Sequence, residues 1–577
     1  VDFERSYVRT IEQAFETQAS LRGRWHRLAS ADSNPSAKAR KAVVAWKFEL
    51  PPNAVKCPNV DELWVLLDDH FPYSQPRVLA PSLREDSCNW PHIEDAGLLC
   101  LPSTGLRDCP GLRVLRHLED ALQLLNLEEA DRKRDFQSEF ATYWARGDAG
   151  KPLPSHWSLA TPVGPSREVF RYHSVEANRY IWADTKPELE HWLRNAGRNP
   201  SKKSIEGAWA VWLPEAPTPA QFPKLGSHVL ALIPSEAQAR LIHPGEKLPI
   251  LMGAPTANGP VWVAAILDIA SERDLQNGFR SGRIPFDRAK ATMAARPVRR
   301  LKVERIDGSY VHGRDRNEQY QALSRKRVAI LGCGSLGSSI ARILAQGSVG
   351  SFMMVDDDIM AAHNTSRHSL GSKTIGLLKA DALADSIEAD FPHQGKHIRL
   401  KRRVENLTRK DWEEVAECDL IVSAGIDFPG DMRIAAWRMS VENPPPHVCT
   451  WVEAFAVVGH AVALFGRDDL GTLFDADGKP QIAMTHWPDT TPVLFREAGC
   501  GNSFQPHGAV DLQRTATTAA TLCLDILVGT VADSCRRTWQ GDLTKLITLG
   551  GVPSPDFQVS NTESCWPWDA LASASSG

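Results

Sequence analysis

Arg327-Val328-Ala329-Ile330-Leu331-Gly332-Cys333-Gly334-Ser335-Leu336-Gly337 decides the fold of the C-terminal half. Its first five residues have the length and apolar content of a buried strand. Three glycines follow at G-x-G-x-x-G spacing, and helical periodicity runs on to about Gln346. A strand that turns through glycines directly into a helix offers free backbone N–H groups and about half a positive charge at the helix N-terminus, an arrangement that holds phosphate. The next apolar run, Phe352-Met353-Met354-Val355, ends in Asp356. A carboxylate about twenty residues past the glycines suits a ribose hydroxyl.

Taken alone, this pattern suits NAD as well as ATP, and the residues beyond it separate the two. Asp356-Asp357-Asp358 leads into Asn364-Thr365-Ser366-Arg367-His368 and then Lys379. Further on, the apolar strand Asp419-Leu420-Ile421-Val422-Ser423 ends at Ala424-Gly425-Ile426-Asp427. Hydride transfer needs an apolar slot for nicotinamide. Arginine and lysine among acids are what a triphosphate requires, because cations neutralise charge moving onto the leaving pyrophosphate and a carboxylate holds magnesium.

The combined pattern, from Gly313 to Gly551, resembles the ThiF/MoeB/ubiquitin-activating family of adenylating enzymes. The resemblance implies a Rossmann-like adenylation domain using ATP and Mg2+. Gly332, Gly334 and Gly337 would form the phosphate loop and Asp356 the ribose contact. Asn364, Arg367 and Lys379 would contact the phosphates, with Arg367 and Lys379 catalytic, and Asp427 would be the magnesium acid. The family also implies a homodimer, with Arg314 or Arg316 reaching across its interface. The two C-x-x-C zinc pairs of the sulfur-carrier activators are missing, a departure that counts against a MoeB-like role.

A second constellation lies near the N-terminus. Phe71-Pro72-Tyr73-Ser74-Gln75-Pro76-Arg77-Val78 is followed by Trp90-Pro91-His92-Ile93 and then Gly97-Leu98-Leu99-Cys100-Leu101. In order and spacing this resembles the ubiquitin-conjugating enzyme core, which makes Cys100 the thioester-bearing cysteine. Trp90 stands where the family has histidine, and His92 where it has the asparagine that steadies the oxyanion.

The eleven cysteines are odd in number and include no C-x-x-C pair, which argues against a disulfide framework or zinc ribbon and for free thiols in a reducing cytoplasm. Cys333 lies in the phosphate loop and Cys418 just before a strand; Cys449 and Cys523 read as packing residues. Cys500 differs, in the loop Glu497-Ala498-Gly499-Cys500-Gly501-Asn502-Ser503-Phe504-Gln505-Pro506-His507-Gly508. Flanking glycines permit close backbone approach, and a following helix N-terminus lowers a thiol pKa. Cys500 is the expected thioester cysteine of the activating half.

These readings define an α/β chain of 577 residues in three parts. Residues 1–150 form a ubiquitin-conjugating-enzyme-like α+β domain, 166–300 a connecting α/β domain, and 301–577 the ThiF-like adenylation domain. A helix is expected over 3–28, strands over 42–50 and 63–67, and a helix over 112–127. Residues 147–165 read as a linker. The middle part has strands expected over 208–213, 228–233 and 261–269, a helical pattern covers 519–528, and 570–577 reads as disordered. A net charge of −4 gives no general attraction to nucleic acid or anionic membrane, and Lys401-Arg402-Arg403 reads as a solvated face. No apolar run is long enough to span a bilayer.

The expected chemistry is a relay. ATP activates the C-terminal carboxylate of a small protein, Cys500 takes the acyl group, Cys100 receives it by thioester exchange, and a target amine accepts it last. An order of conjugating half then activating half resembles fusion proteins of bacterial anti-phage (CBASS and related) operons. The partner implied is a ubiquitin-like protein or the C-terminus of a cGAS/DncV-like nucleotidyltransferase. Two other classes stay open: a sulfur-carrier adenylyltransferase, which needs no Cys100 domain, and a non-catalytic NAD-binding scaffold, which releases no pyrophosphate.

Overall fold

The computed structural model describes residues 2–18, 21–29, 41–83, 90–94, 97–103, 105, 107–146, 155–200, 204–243, 246–268, 285–476, 478–496, 503–557 and 559–568. The expected tail at 570–577 and the Cys500 position lie outside them. The chain divides into two compact units, 1–185 with 206–305, and 186–205 with 306–577.

The first unit opens with helix α1 (Asp2–Thr17) and a four-stranded antiparallel sheet, β1 (Trp25–Arg27), β2 (Ala42–Glu49), β3 (Glu62–Asp68) and β4 (Arg77–Leu79), in that order. Alternation along β2 and β3 puts Trp46, Phe48, Val65 and Leu67 on one face. There they meet Ile11 and Phe15 of α1 and Val114, Leu118 and Leu125 of helix α2 (Pro110–Leu125). The helix expected over 3–28 stops at Thr17. Gly23 adopts φ +70°, and Trp25–Arg27 pairs with Trp46–Phe48 as an edge strand instead. Trp25 stacks edgewise on Phe15 and donates Nε1–H to Glu16.

Helices α3 (Glu129–Ser138) and α4 (Phe140–Ala145) lead into a closed seven-stranded barrel. Its strands are β5 (Ser155–Ser158), β6 (Arg167–Ser174), β7 (Arg179–Ala183), β8 (Ile205–Trp212), β9 (Leu248–Ala254), β10 (Val261–Leu267) and β11 (Val298–Arg305), in the order β10-β11-β5-β7-β6-β8-β9. The expected linker therefore ends before Ser155, since β5 pairs with β11 and β7. The strand expected over 228–233 is helical at Gly226–Leu230. Its buried residues Val229, Leu230 and Ile233 follow a one-sided helical spacing, not alternation. Phe136, Phe140 and Trp144 pack on Val211, Ile250, Met252 and Val263 of the barrel, and Trp144 Nε1 donates to the Ala264 carbonyl at 3.0 Å. Truncating a fully buried tryptophan of this kind costs about 3–5 kcal/mol.

The second unit is built on an eight-stranded sheet. Five strands are parallel: β12 (Arg327–Leu331), β13 (Ser351–Val355), β14 (Ile398–Leu400), β15 (Leu420–Ala424) and β16 (His447–Val452). Three antiparallel strands extend it: β17 (Val458–Leu464), a later β20 (Cys535–Gln540) and β21 (Thr562–Pro567). Between β17 and β20 run a short hairpin, β18 (Phe495–Arg496) with β19 (Ser503–Phe504), and a long helix. Crossover helices are α5 (Ser335–Gln346), α6 (Lys379–Asp390), α7 (Arg409–Ala416), α8 (Phe428–Ser440) and the long α9 (Ala509–Leu527), which starts ten residues before the pattern expected from Ala519. The order β14-β13-β12-β15-β16-β17-β20-β21 reverses direction at β12, so the strand ends of β12 and β15 open a crevice where such sheets bind ligands.

Candidate functional site

A cavity of about 780 Å³ opens at that crevice. Gly332, Gly334, Asp356, Asn364, Arg367, Lys379 and Asp427 all line it. Gly337 does not, and its glycine has another reason. A Cβ there would run into the Gly332 carbonyl oxygen, so Gly337 lets α5 close onto the loop. Gly332 holds φ +91°, and a Cβ on it would stand 2.6 Å from Ile426 Cγ2. Gly334 has nothing within 4 Å of where its Cβ would be, which leaves the backbone at the N-cap of α5 open to a ligand.

The polar groups around this backbone are fixed from below. Asp356 accepts from Cys333 N–H at 2.7 Å and from Asp358 N–H at 2.8 Å. Burial raises its pKa, with those two N–H groups and Lys379 opposing. Asn364 accepts from Ala361 N–H at 2.9 Å, which aims its side chain. Lys379 begins α6, and its Nζ meets Asp358 Oδ2 at 2.8 Å. Among the described residues the Arg367 guanidinium has no carboxylate partner. A buried ammonium, an unpaired guanidinium and an open helix N-terminus around one cavity are a donor set suited to a polyphosphate.

Asp427 stands at the N-cap position of α8, lines the crevice and accepts from Arg403 at 2.8 Å through Oδ2; its second carboxylate oxygen is a donor of the kind a hard cation takes. The carboxylate oxygens of Asp356, Asp357 and Asp358 gather within 4.8 Å of one another. Oxygen donors of both groups suit magnesium.

Arg402 and Arg403 also line the cavity, although their basic run reads from sequence as a solvated face. His368 and His507 also line the cavity; the sequence places His368 beside Arg367 and His507 near Cys500 but assigns neither a role of its own. His368 is buried and holds the Cys333 carbonyl at 2.7 Å, which fixes the loop. Burial pushes the His507 pKa down, and Arg367 adds to the effect. Cys333 is fully buried and its thiol is pushed far up, so it packs and does not react. Arg314 and Arg316 sit in an exposed turn before β12, Arg314 with φ +50°. Cys500 belongs to the segment between β18 and β19, outside the described residues; Ser503, where the described chain resumes, lines the cavity.

Cys100 lies in a separate cleft of about 460 Å³ in the first unit, with His92, Glu94, Glu139, Arg146 and Asn258 around it. It is exposed. A short segment on the edge of β4 positions it, with Leu99 N–H donating to the Val78 carbonyl and Cys100 N–H to the His92 carbonyl at 2.7 Å. His92 has φ +58°, and its N–H is held by the Tyr143 hydroxyl at 2.8 Å. Its imidazole lies 3.5 Å from Asp135 and 3.8 Å from Glu139. Trp90 is buried and donates to the Leu124 carbonyl, so it anchors the segment without reaching the thiol's cleft. Burial raises the Cys100 pKa, Glu94 and Glu139 raise it further, and Arg146 and Arg77 oppose them.

Residues 312–478 match the ThiF family, a span that includes the phosphate loop and every cavity residue predicted as far as Asp427. The second unit thus carries a ThiF-like α/β domain. Curated relatives include the ATP-dependent ubiquitin transferase-like protein Cap2 of Vibrio cholerae, 28% identical over 146 residues (24% of either chain). Cap2 of Pseudomonas aeruginosa is 25% identical over 244 residues, 41% of this chain and 42% of the relative. The uncharacterized protein y4oA of Sinorhizobium fredii is 39% identical over 250 residues, 40% of each. The chain therefore matches between a quarter and about two fifths of these relatives' lengths. Among solved structures, E. coli MccB with ATP aligns at TM-score 0.29 and 14% identity over 44% of this chain and 67% of that one, a likeness too slight to carry an argument. No described helix is long and apolar enough to cross a membrane.

Proposed function

We propose that the chain adenylates the C-terminal carboxylate of a small protein and transfers the acyl group through Cys500 and Cys100 to a target amine. The reading rests on one observation: Arg367, Lys379, Asp356 and the open backbone at Gly334 converge on a single cavity that ATP would fill. The substrate carboxylate attacks the α-phosphate of ATP there. Arg367 and Lys379 take up charge moving onto the leaving pyrophosphate, worth about 3–4 kcal/mol for one well-aimed group. Asp427 would hold magnesium, which would supply charge neutralisation of the phosphate oxygens.

Cys500 receives the acyl group first. Cys500 precedes Ser503 by three residues in sequence, and Ser503 lines the cavity. Cys100, exposed in its own cleft, takes the thioester next. The names of the Cap2 relatives support a ubiquitin transferase-like activity. The partner is a ubiquitin-like protein or the tail of a cGAS/DncV-like nucleotidyltransferase, in anti-phage defence, and the working form is a cytoplasmic homodimer.

The test is ATP–pyrophosphate exchange with candidate proteins ending in glycine. Exchange dependent on one such protein, followed by a thiol-sensitive adduct on Cys500 and then Cys100, is the expected result. Tight binding of NAD with no ATP turnover would end this reading.

A further inference from the structure

A thioester on Cys100 is useful only if the tetrahedral oxyanion formed on its attack is stabilised, and several polar groups near the thiol are already engaged. Two backbone N–H groups beside the thiol are already engaged, Cys100 N–H with the His92 carbonyl and His92 N–H with the Tyr143 hydroxyl. The His92 imidazole stands against two carboxylates, Asp135 and Glu139. Ser138 Oγ donates to the Asp135 carbonyl, and Arg146 donates to the Ile93 carbonyl at 2.6 Å.

One side chain of the cleft comes from elsewhere in the fold. Asn258 sits at the tip of the β9–β10 hairpin of the barrel and lines the cavity together with Cys100. The hairpin is stitched shut. Thr256 and Gly259 exchange backbone hydrogen bonds, Thr256 Oγ1 donates to the Gly259 carbonyl at 2.7 Å, and Asn258 N–H donates to Thr256 Oγ1 at 3.2 Å. The backbone of Asn258 is therefore held, while its carboxamide makes no hydrogen bond among the described residues. A neutral N–H2 pair free of other partners, carried on a fixed turn beside the thiol's cleft, can donate to an oxyanion forming there.

We infer that the barrel completes the Cys100 site, with Asn258 as the catalytic residue that donates to the oxyanion during acyl transfer. The inference rests on the transfer role of Cys100 proposed above. In the step, the target amine attacks the thioester carbonyl carbon and the C–N bond forms. The carbonyl oxygen takes the electron pair and accepts from the Asn258 amide. The oxyanion then collapses, the C–S bond breaks, and the thiolate leaves. The amine's proton passes to a cleft carboxylate, Glu139 or Glu94, and from there re-protonates the thiol.

The experiment needs no natural partner. Full-length protein is acylated with a short peptide ending in Gly-Gly, supplied as its 2-mercaptoethanesulfonate thioester. Free lysine is added, and loss of the adduct is followed by mass spectrometry at the Cys100 peptide and at the exposed Cys109 and Cys565 peptides of the same molecule. The Cys100 adduct is expected to discharge at least tenfold faster than the other two. Asn258→Ala should remove about 10²-fold of that rate. Asn258→Asp should fall similarly at neutral pH and regain rate relative to wild type as the pH drops and its carboxyl gains a proton to donate, a response a merely structural residue would not give. Fast Cys100 discharge that is unchanged in Asn258→Ala overturns this inference and leaves the relay standing. Cys100 discharge no faster than Cys109 or Cys565 overturns the relay, and the inference with it.

Discussion

Lys379 Nζ lies 2.8 Å from Asp358 Oδ2, with the lysine side chain 10% exposed and the aspartate 69% exposed. The ammonium opens helix α6, where the helix dipole already disfavours a cation by about 0.3–1 kcal/mol. One exposed carboxylate against a buried ammonium leaves cationic capacity for an anion entering the cavity. Lys379→Met should lower ATP–pyrophosphate exchange by about 10²-fold. It should leave the thermal melt within a few degrees, because the paired Asp358 is solvated once released. A collapse of the melt with no specific loss of exchange would assign Lys379 a structural role.

Two glycines of one motif should fail differently. A Cβ at Gly337 meets the Gly332 carbonyl oxygen, so Gly337→Ala should displace α5 and cost about 1–3 kcal/mol of stability, read by urea titration. A Cβ at Gly334 meets nothing, so Gly334→Ala should unfold like wild type yet weaken ATP binding by calorimetry, through loss of close backbone approach. Equal stability losses in both variants would contradict the assigned geometry.

The strand–glycine–helix unit was legible because its physics is local. A buried strand, a turn needing positive φ at Gly332 and an N-terminal helix turn all lie within residues 327–346. Arg367, Lys379 and Asp427 stood out because cations and acids follow the glycine loop where nicotinamide would need an apolar slot, and Asn364 by its spacing to Arg367. What sequence could not yield depends on distant partners. The edge strand at Trp25 needs Phe48 across the sheet, and β5 needs both β11 and β7 to be a strand rather than a linker. Arg402 and Arg403 read as solvent-facing because nothing local brings them toward Asp427. Asn258 carries no motif and acquires meaning only from the cavity it lines, and His507, legible only as a histidine near Cys500, is tied to the nucleotide cavity by the fold.

Acids and partial burial bias Cys100 toward the thiol, which protects a site that must stay unreacted until it meets an activated acyl group. The pH midpoint of its alkylation by iodoacetamide should lie above the ~8.5 of a free cysteine. Burial and the charges of Glu94 and Glu139 disfavour the thiolate. Glu139→Gln should therefore move the midpoint down, and Arg146→Gln should move it up. The rate at the Cys100 peptide, followed by mass spectrometry from pH 6 to pH 10, checks both signs. A shift in the reverse direction in either variant would refute the electrostatic account.

Beneath the Asp427 loop, Asp431 is 9% exposed and accepts from Ser423 Oγ at 2.7 Å, while Ser423 also meets His447 Nε2 at 2.9 Å. Burial raises the Asp431 pKa from its ordinary value to about 6, and burial lowers that of His447 to about 3. An acid with a raised folded pKa favours the folded state most at low pH, below its unfolded value. That contribution fades as pH rises from about 4 through 6, and is gone above. His447 works in the opposite sense: buried neutral, it costs stability once pH falls below its unfolded value near 6.5. Asp431→Asn isolates the carboxyl, because His447 stays in both proteins. Relative to wild type, the asparagine variant should gain up to about 3 kcal/mol between pH 4 and pH 7, the equivalent of some two pKa units. Paired urea titrations at those two pH values measure the difference directly. A constant offset between the two proteins would mean that Asp431 is charged in the fold across the whole range, and that the Ser423 bond outweighs its burial.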